Sequence, residues 1–98
     1  MKKTYSLVHP KIKAARIVDS IKHDIKKFQS NARKQDLPSG ASYWSFDCKF
    51  GYSEEAAAAV HPGELKKCID EAASANSEAI YIEVVSKPVF ANQEDEQY

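Results

Sequence analysis

Five side chains in this 98-residue chain are of the kinds that most often bind metals or attack substrates, namely three histidines and two cysteines. They are His9, His23, His61, Cys48 and Cys68. Structural zinc sites usually place their ligands in closely spaced pairs such as C-x-x-C or H-x-x-x-H, and no such pair occurs in this chain. We therefore predict no metal site and no cofactor.

The two cysteines are predicted to be core residues rather than nucleophiles. Cys48 and Cys68 fall on the apolar faces of a predicted strand and a predicted helix. A buried thiol behaves as a small hydrophobic side chain, whereas a catalytic thiol needs a partly exposed, electropositive site. The chain has only three glycines and carries neither a nucleophile-elbow nor a phosphate-loop motif. These features favour a non-enzymatic protein with no catalytic residues.

His9 and His61 share a context, because each lies between a valine and a proline. One interpretation is local, since a residue before proline belongs to a turn or to the start of a helix. The alternative is functional: if folding brings the two strand ends together, the histidines form a small enzyme site. We keep this enzyme alternative for the structure to examine.

The charge is distributed unevenly along the chain, although its formal net value is zero. Residues 1–34 carry ten Lys/Arg and two Asp, a net of +8, whereas residues 35–98 carry four Lys and twelve Asp/Glu, a net of −8. The first predicted helix holds most of the positive charge on its solvent face. The residues that we predict to contact nucleic acid are Arg16, Lys22, Lys26, Lys27, Arg33 and Lys34. A basic helix binds phosphates by releasing counterions.

Two other interpretations of the basic helix stay open at this stage. It is a solvated face balanced by the acidic second half of the chain or by its acidic tail, or it is a helix that lies on a membrane surface. The apolar stripe of the helix is already committed to the core, so we expect no membrane partner. No segment is long and apolar enough to span a bilayer.

Hydrophobic periodicity divides the chain into six elements. Apolar residues recur every three or four positions in the two helical segments, and they alternate strictly in 43–50. Residues 56–60 are ambiguous, because an alanine run favours helix while His61-Pro62 disfavours it, and we assign them as a short strand. Pro88 is expected to close the last strand. The predicted elements are strand 4–8, helix 11–35, strand 43–50, strand 56–60, helix 64–75 and strand 79–85.

The order β-α-β-β-α-β predicts an α+β domain over residues 1–90 with a ferredoxin-like fold, in which an antiparallel sheet has two helices on one face. The alternative, if 56–60 is not a strand, is a three-stranded sheet with two helices. Residues 91–98 form an acidic tail that we expect to be disordered.

Two motifs carry a resemblance to a known family. They are MKKT..L.HPKIK.AR.VD.IKH.IKK, from Met1 to Lys27, and FDCKFG, from Phe46 to Gly51. With them the chain resembles a family of small bacterial proteins known only as a domain of unknown function, from about residue 2 to Pro88. The resemblance implies a bacterial origin and a compact α/β domain, and it implies no activity.

Taken together, the sequence predicts a cytoplasmic binding or interaction module that binds nucleic acid weakly through its first helix. The rival hypothesis is a homodimer or protein-partner module that uses the open face of the sheet. Tyr43, Tyr81 and Val85 would lie at the centre of that interface, since aromatic and apolar residues are favoured there.

Overall fold

The computed structural model describes residues 1–90, and the predicted disorder of 91–98 lies outside the described residues. Four strands and two α-helices follow one another in the predicted order, with a short 3₁₀ turn, Pro62–Glu64, before the second helix. Their bounds are β1 (Lys2–Ser6), α1 (Ala14–Arg33), β2 (Tyr43–Gly51), β3 (Ala58–Val60), α2 (Leu65–Ser74) and β4 (Ala79–Val89). The α+β class is confirmed, and the three-stranded alternative is wrong.

Both helices begin and end close to where the sequence predicts. α1 begins after Lys13, which has extended backbone and makes no capping side-chain hydrogen bond. α2 ends in a Schellman motif: Asn76 has φ of 57°, and the Asn76 and Ser77 amides donate to the carbonyls of Ala73 and Ala72 at 3.1 and 3.0 Å. Asparagine tolerates this left-handed conformation, so it can terminate the helix.

The sheet is antiparallel throughout, with the strand order β1-β4-β2-β3. β4 therefore lies between β1 and β2, and β2 lies between β3 and β4, so each β-α-β unit is split by a strand of the other. The two central strands are β4 and β2, whereas a ferredoxin-like sheet has its first and third strands at the centre. The ferredoxin-like order is not confirmed.

The core lies between the helices and one face of the sheet. Ile80, Ile82 and Val84 are completely buried, as the alternation in β4 predicts. From the helices, Ile21 and Ile69 pack against them. Each such side chain contributes about 1.5–3 kcal/mol by leaving water, and this burial is what attaches α1 and α2 to the sheet.

β4 continues past Pro88 to Val89, so the prediction that Pro88 closes the strand is wrong. The Val84 amide donates to the Met1 carbonyl at 2.7 Å, which shows that even-numbered residues of β4 point their backbone groups towards β1. β1 pairs with residues 79–83 of β4, so among residues 1–90 no strand lies beside position 88 to accept a hydrogen bond. Proline is tolerated at such an edge because it lacks only a donor that would have no partner.

The turn between β2 and β3 folds back over the open face of the sheet. Gly51 pairs with Tyr81 in the register, and a Cβ placed on Gly51 would lie 2.6 Å from the Ala57 Cα. The backbone of Ala57 therefore lies against Gly51 on the open face. Tyr81 is only 4% exposed, and Glu54 in the same turn is near enough to help raise the pKa of Tyr81. Part of the face that the sequence leaves open is thus covered by the chain itself.

Candidate functional site

A shallow groove runs along the solvent face of α1, on the side opposite the core. It is lined by His23, Lys26, Lys27, Ser30, Asn31 and Lys34. Lys26 and Lys34 are eight residues apart, which is about 12 Å along a helix. No acidic residue lines this groove, and no ion pair among residues 1–90 involves its lysines. The lysines therefore give the groove a positive charge.

Lys22, another of the six predicted basic residues, faces α2 instead. Its Nζ lies 2.7 Å from Oδ1 of Asp70, and the lysine side chain is 28% exposed. The contact ties α1 to α2 across residues that are 48 apart in sequence. Lys22 is therefore engaged within the protein and is not part of the groove.

Arg33 stacks on an aromatic ring of β2. Its guanidinium carbon lies 5.3 Å from the centroid of the Phe46 ring, within the range of a cation–π contact. Phe28 meets the same ring edge-on, with 6.4 Å between centroids. Arg33 thus fastens the last turn of α1 to the sheet, and its positive charge also suits the negative end of the helix dipole.

Arg16 lines a different depression, a cleft between β1 and the first half of α1. Tyr5 forms part of this cleft, and its hydroxyl donates a long hydrogen bond, 3.4 Å, to Oδ2 of Asp24. Burial and then the Asp24 carboxylate raise the pKa of Tyr5 to about 12. The sequence did not predict this cleft, and its one signal was Ile12, an isoleucine outside the apolar stripe of α1 that stays 44% exposed.

The three residues predicted for the open face do not share one environment. Tyr43 is 55% exposed and Val85 is 39% exposed, whereas Tyr81 is buried. The Tyr81 hydroxyl donates to Oε1 of Glu83 at 2.9 Å. Burial, that hydrogen bond and the Glu83 and Glu54 charges raise the pKa of Tyr81 to about 12. Tyr81 is therefore not available as an interface residue.

His9 and His61 make the same local contact. The Nδ1 atom of His9 accepts a hydrogen bond from the Lys11 amide at 3.0 Å, and Nδ1 of His61 accepts one from the Gly63 amide at 3.0 Å. His61 thereby caps the 3₁₀ turn that leads into α2. The local interpretation of both histidines is confirmed.

The two histidines follow β1 and β3, which are the two edge strands of the sheet. β4 and β2 lie between them, and because every neighbouring pair is antiparallel, β1 and β3 run in opposite directions. Their last residues are three interstrand spacings apart, about 14 Å, and five β4 residues apart, about 17 Å. The structure does not bring His9 and His61 together in one site.

Cys48 lies in the core as predicted and is 3% exposed. Cys68 is only half-buried and does not belong to the core cluster, and neither cysteine is in a disulfide. Burial, followed by the Asp47 carboxylate, raises the pKa of the Cys48 thiol. Burial and the Glu71 charge likewise raise that of Cys68. Raised thiol pKa values oppose nucleophilic chemistry.

The described residues contain neither a metal-binding cluster nor a membrane-spanning helix. Within residues 1–90, no three His, Cys, Asp or Glu side chains cluster closely enough to hold a metal ion. Neither helix in that range has the length and apolar character needed to cross a membrane.

The described residues form an α+β fold with a basic outer face on its first helix. A family model described as a family of unknown function (DUF6172) matches residues 1–95, and the chain belongs to that family. Comparison with curated proteins and comparison with solved structures give no match.

Proposed function

We propose that this protein binds nucleic acid through phosphate contacts made by the groove on the outer face of α1. One observation carries the proposal: Lys26, Lys27 and Lys34 line a single groove to which residues 1–90 contribute no acidic side chain. Lysine ammonium groups that neutralise phosphates release counterions, and this release supplies most of the affinity of sequence-independent binding.

Of the six predicted contact residues, we propose that Lys26, Lys27 and Lys34 bind the phosphates. Lys22 is paired with Asp70, Arg33 stacks on Phe46, and Arg16 belongs to the cleft beside β1. With about three phosphate contacts, the logarithm of the association constant falls with the logarithm of salt concentration with a slope of about −3 on duplex DNA. Binding of this kind is weak and insensitive to base sequence.

The test is fluorescence anisotropy of a labelled DNA duplex, titrated with the full chain at several salt concentrations. The double variant Lys26→Glu/Lys27→Glu removes two contacts and adds repulsion, so we expect binding to be lost at moderate salt. Its control, Lys66→Glu/Lys67→Glu, makes the same change in net charge on exposed positions of α2. Equal loss of binding in both variants, or a flat response to salt, would contradict the proposal.

The open sheet face takes second place as a candidate interface. Tyr43 and Val85 are exposed on it, which supports contact with a protein partner or a second copy. However, Lys87 and Asp47 form a 2.9 Å ion pair on the same face, and burying such a pair costs desolvation energy. Sedimentation of the Tyr43→Ser variant against wild type tests this alternative, since loss of a dimer would support it.

We further infer that the protein works in the cytoplasm of a bacterium. The resemblance of its motifs supports the bacterial origin, and its free cysteines suit a reducing compartment. Fractionation of cells that carry the tagged full chain would test the compartment.

A further inference from the structure

We propose that the cleft between β1 and the first half of α1 binds an extended, acidic segment of a partner protein, which adds to the sheet as a fifth strand beside β1. This surface lies on a different side of α1 from the groove of Lys26, Lys27 and Lys34, so the inference stands independently of nucleic-acid binding.

Among residues 1–90, no strand uses the hydrogen-bonding groups on the outer edge of β1. Within that range β1 is the terminal strand of the sheet, and β4 alone pairs with it. The Leu7 amide donates to the Glu78 carbonyl at 2.8 Å, and the Val84 amide donates to the Met1 carbonyl at 2.7 Å. Odd-numbered residues of β1 therefore face β4. The amides and carbonyls of Lys2, Thr4 and Ser6 point outwards, where an added strand would bond to them.

Beside this edge the cleft provides space for side chains of an added strand. It measures about 530 Å3, and its apolar wall comprises Ile12, Ile17 and Ile21 together with the Tyr5 ring. Alternate side chains of a strand added to β1 would point towards this helix-covered side. Strand addition gains affinity from main-chain hydrogen bonds and specificity from such pockets. The partner segment should therefore alternate apolar residues with others.

The net positive charge of the cleft and of the strand edge beside it attracts an acidic segment. Lys3 and Arg16 line the cleft, and Lys2 lies in β1 at the edge of the sheet. Asp24 is the one acid in the lining, and its carboxylate already accepts the Tyr5 hydroxyl. A second copy would bring the same lysines and arginine against each other, which like-charge repulsion opposes. Charge complementarity therefore favours an acidic partner over self-association.

The start of α1 is also positively charged, although acidic residues are the ones favoured at a helix N-terminus. Lys13 occupies the N-cap, and Arg16 lies three residues into the helix, with no acidic residue in the first turn. Cations near a helix N-terminus oppose the helix dipole and destabilise the helix. Local rules are most often broken at functional sites. An acidic segment in the cleft would offset this cost.

The experiment titrates the full chain with a labelled, capped hexapeptide that alternates aspartate and valine. Binding is followed by anisotropy, and amide hydrogen exchange is followed by NMR. We expect binding to slow exchange at Thr4 and Ser6, whose amides point outwards, while the Tyr5 amide, which already faces β4, changes little. Two control peptides have lysine in place of aspartate, or N-methyl groups on the four central amides, and neither should bind.

Variants separate this site from the outer groove of α1. Lys3→Glu/Arg16→Glu changes two exposed residues of the cleft, and we expect it to weaken peptide binding at least about tenfold. Lys26→Glu/Lys27→Glu makes the same charge change outside the cleft and should leave the peptide affinity unaltered. Circular dichroism would verify that both variants keep the fold.

Four results would overturn the inference. The first is no binding at millimolar peptide, and the second is equal binding of the N-methylated peptide. The third is equal weakening by the two double variants, which would indicate general attraction of anions to α1. The fourth is slow amide exchange at Thr4 and Ser6 in the absence of peptide, together with sedimentation of the protein as a dimer. This result would show that a second copy of the chain occupies the edge of β1.

Discussion

Replacing Gly51 with alanine should destabilise this protein far more than a single methyl group normally does. Gly51 has no need of positive φ, so the reason is steric rather than conformational. The new Cβ would lie 2.6 Å from the Ala57 Cα and 2.7 Å from the Ala57 nitrogen, both backbone atoms. Ordinary contacts of a Cβ lie at 3.4–4 Å. The turn would have to move away from the sheet by roughly the difference.

The free-energy cost of moving the turn has two parts, the overpacking at Gly51 and the exposure of Tyr81. Overpacking of this kind costs about 1–3 kcal/mol. Lifting the turn also exposes part of the Tyr81 ring, which is 4% exposed in the native structure. We therefore expect Gly51→Ala to lower the free energy of unfolding by about 2–3 kcal/mol. For a domain of this size each kcal/mol lowers the Tm by about 4–8 °C.

The assay is urea unfolding, compared with Gly63→Ala as a matched control. A Cβ on Gly63 would meet only the His61 side chain, with its nearest atom at 3.2 Å, and a side chain can move. Tyr81 gives a second readout, because exposing it should lower its pKa from about 12. If Gly51→Ala is no less stable than Gly63→Ala, then the turn does not cover Tyr81 as described, and the steric reasoning fails.

Three further predictions concern other contacts. Tyr5 and Tyr81 have pKa values of about 12 in the folded protein and 10.0 after unfolding, so their contribution to stability is complete below pH 10 and is lost as the pH rises towards 12. The variant Tyr5→Phe should lose less stability over this pH range in urea unfolding experiments. An unchanged loss would contradict the prediction. His61→Ala should cost about 1 kcal/mol of unfolding free energy by removing the cap, whereas His61→Asn should preserve most of it; equal stabilities would show that the cap contributes nothing. Lys87→Pro should cost at least about 1 kcal/mol more than Lys87→Ala, because residue 87 faces β2, while Ser86→Pro at the outward-facing edge should cost less than Lys87→Pro; the reverse order would refute the strand orientation.

Sequence periodicity predicted the parts of the fold that depend on burial. The alternation in 43–50 correctly places Phe46 and Cys48 in the core, and the three-and-four spacing in α1 correctly places Val18, Ile21 and Ile25 there. These assignments succeed because one face of each element must leave water, and that requirement is written in every second or every third and fourth residue.

Strand order could not be predicted in the same way, because it depends on which edges meet. The β4 and β2 strands are central in this sheet, and their pairing joins residues about 40 positions apart. No local pattern distinguishes this order from the ferredoxin-like one. The extension of β4 through Pro88 and the covering of Tyr81 by the turn both depend on neighbours in space rather than in sequence.

The sequence also could not predict which basic residues of α1 remain available for binding. The sequence treats Lys22, Lys26 and Arg33 alike, since all three lie outside the apolar stripe. Their roles differ only because Asp70, solvent and Phe46 are their respective neighbours in the fold. A wheel diagram identifies which side chains are available, and the packing of α2 and β2 then decides which of them remain so.

The two Val-His-Pro segments show what a repeated sequence pattern can and cannot predict. Each histidine accepts a hydrogen bond from the amide two residues later, so identical residues give identical local geometry. The strands that precede them, β1 and β3, are the two edges of the sheet and run in opposite directions. Repeated halves in such an arrangement are related by an approximate twofold rotation, which keeps equivalent residues apart unless they lie near its axis. Local likeness therefore predicts a shared structural role, and proximity has to be established from the pairing of the strands.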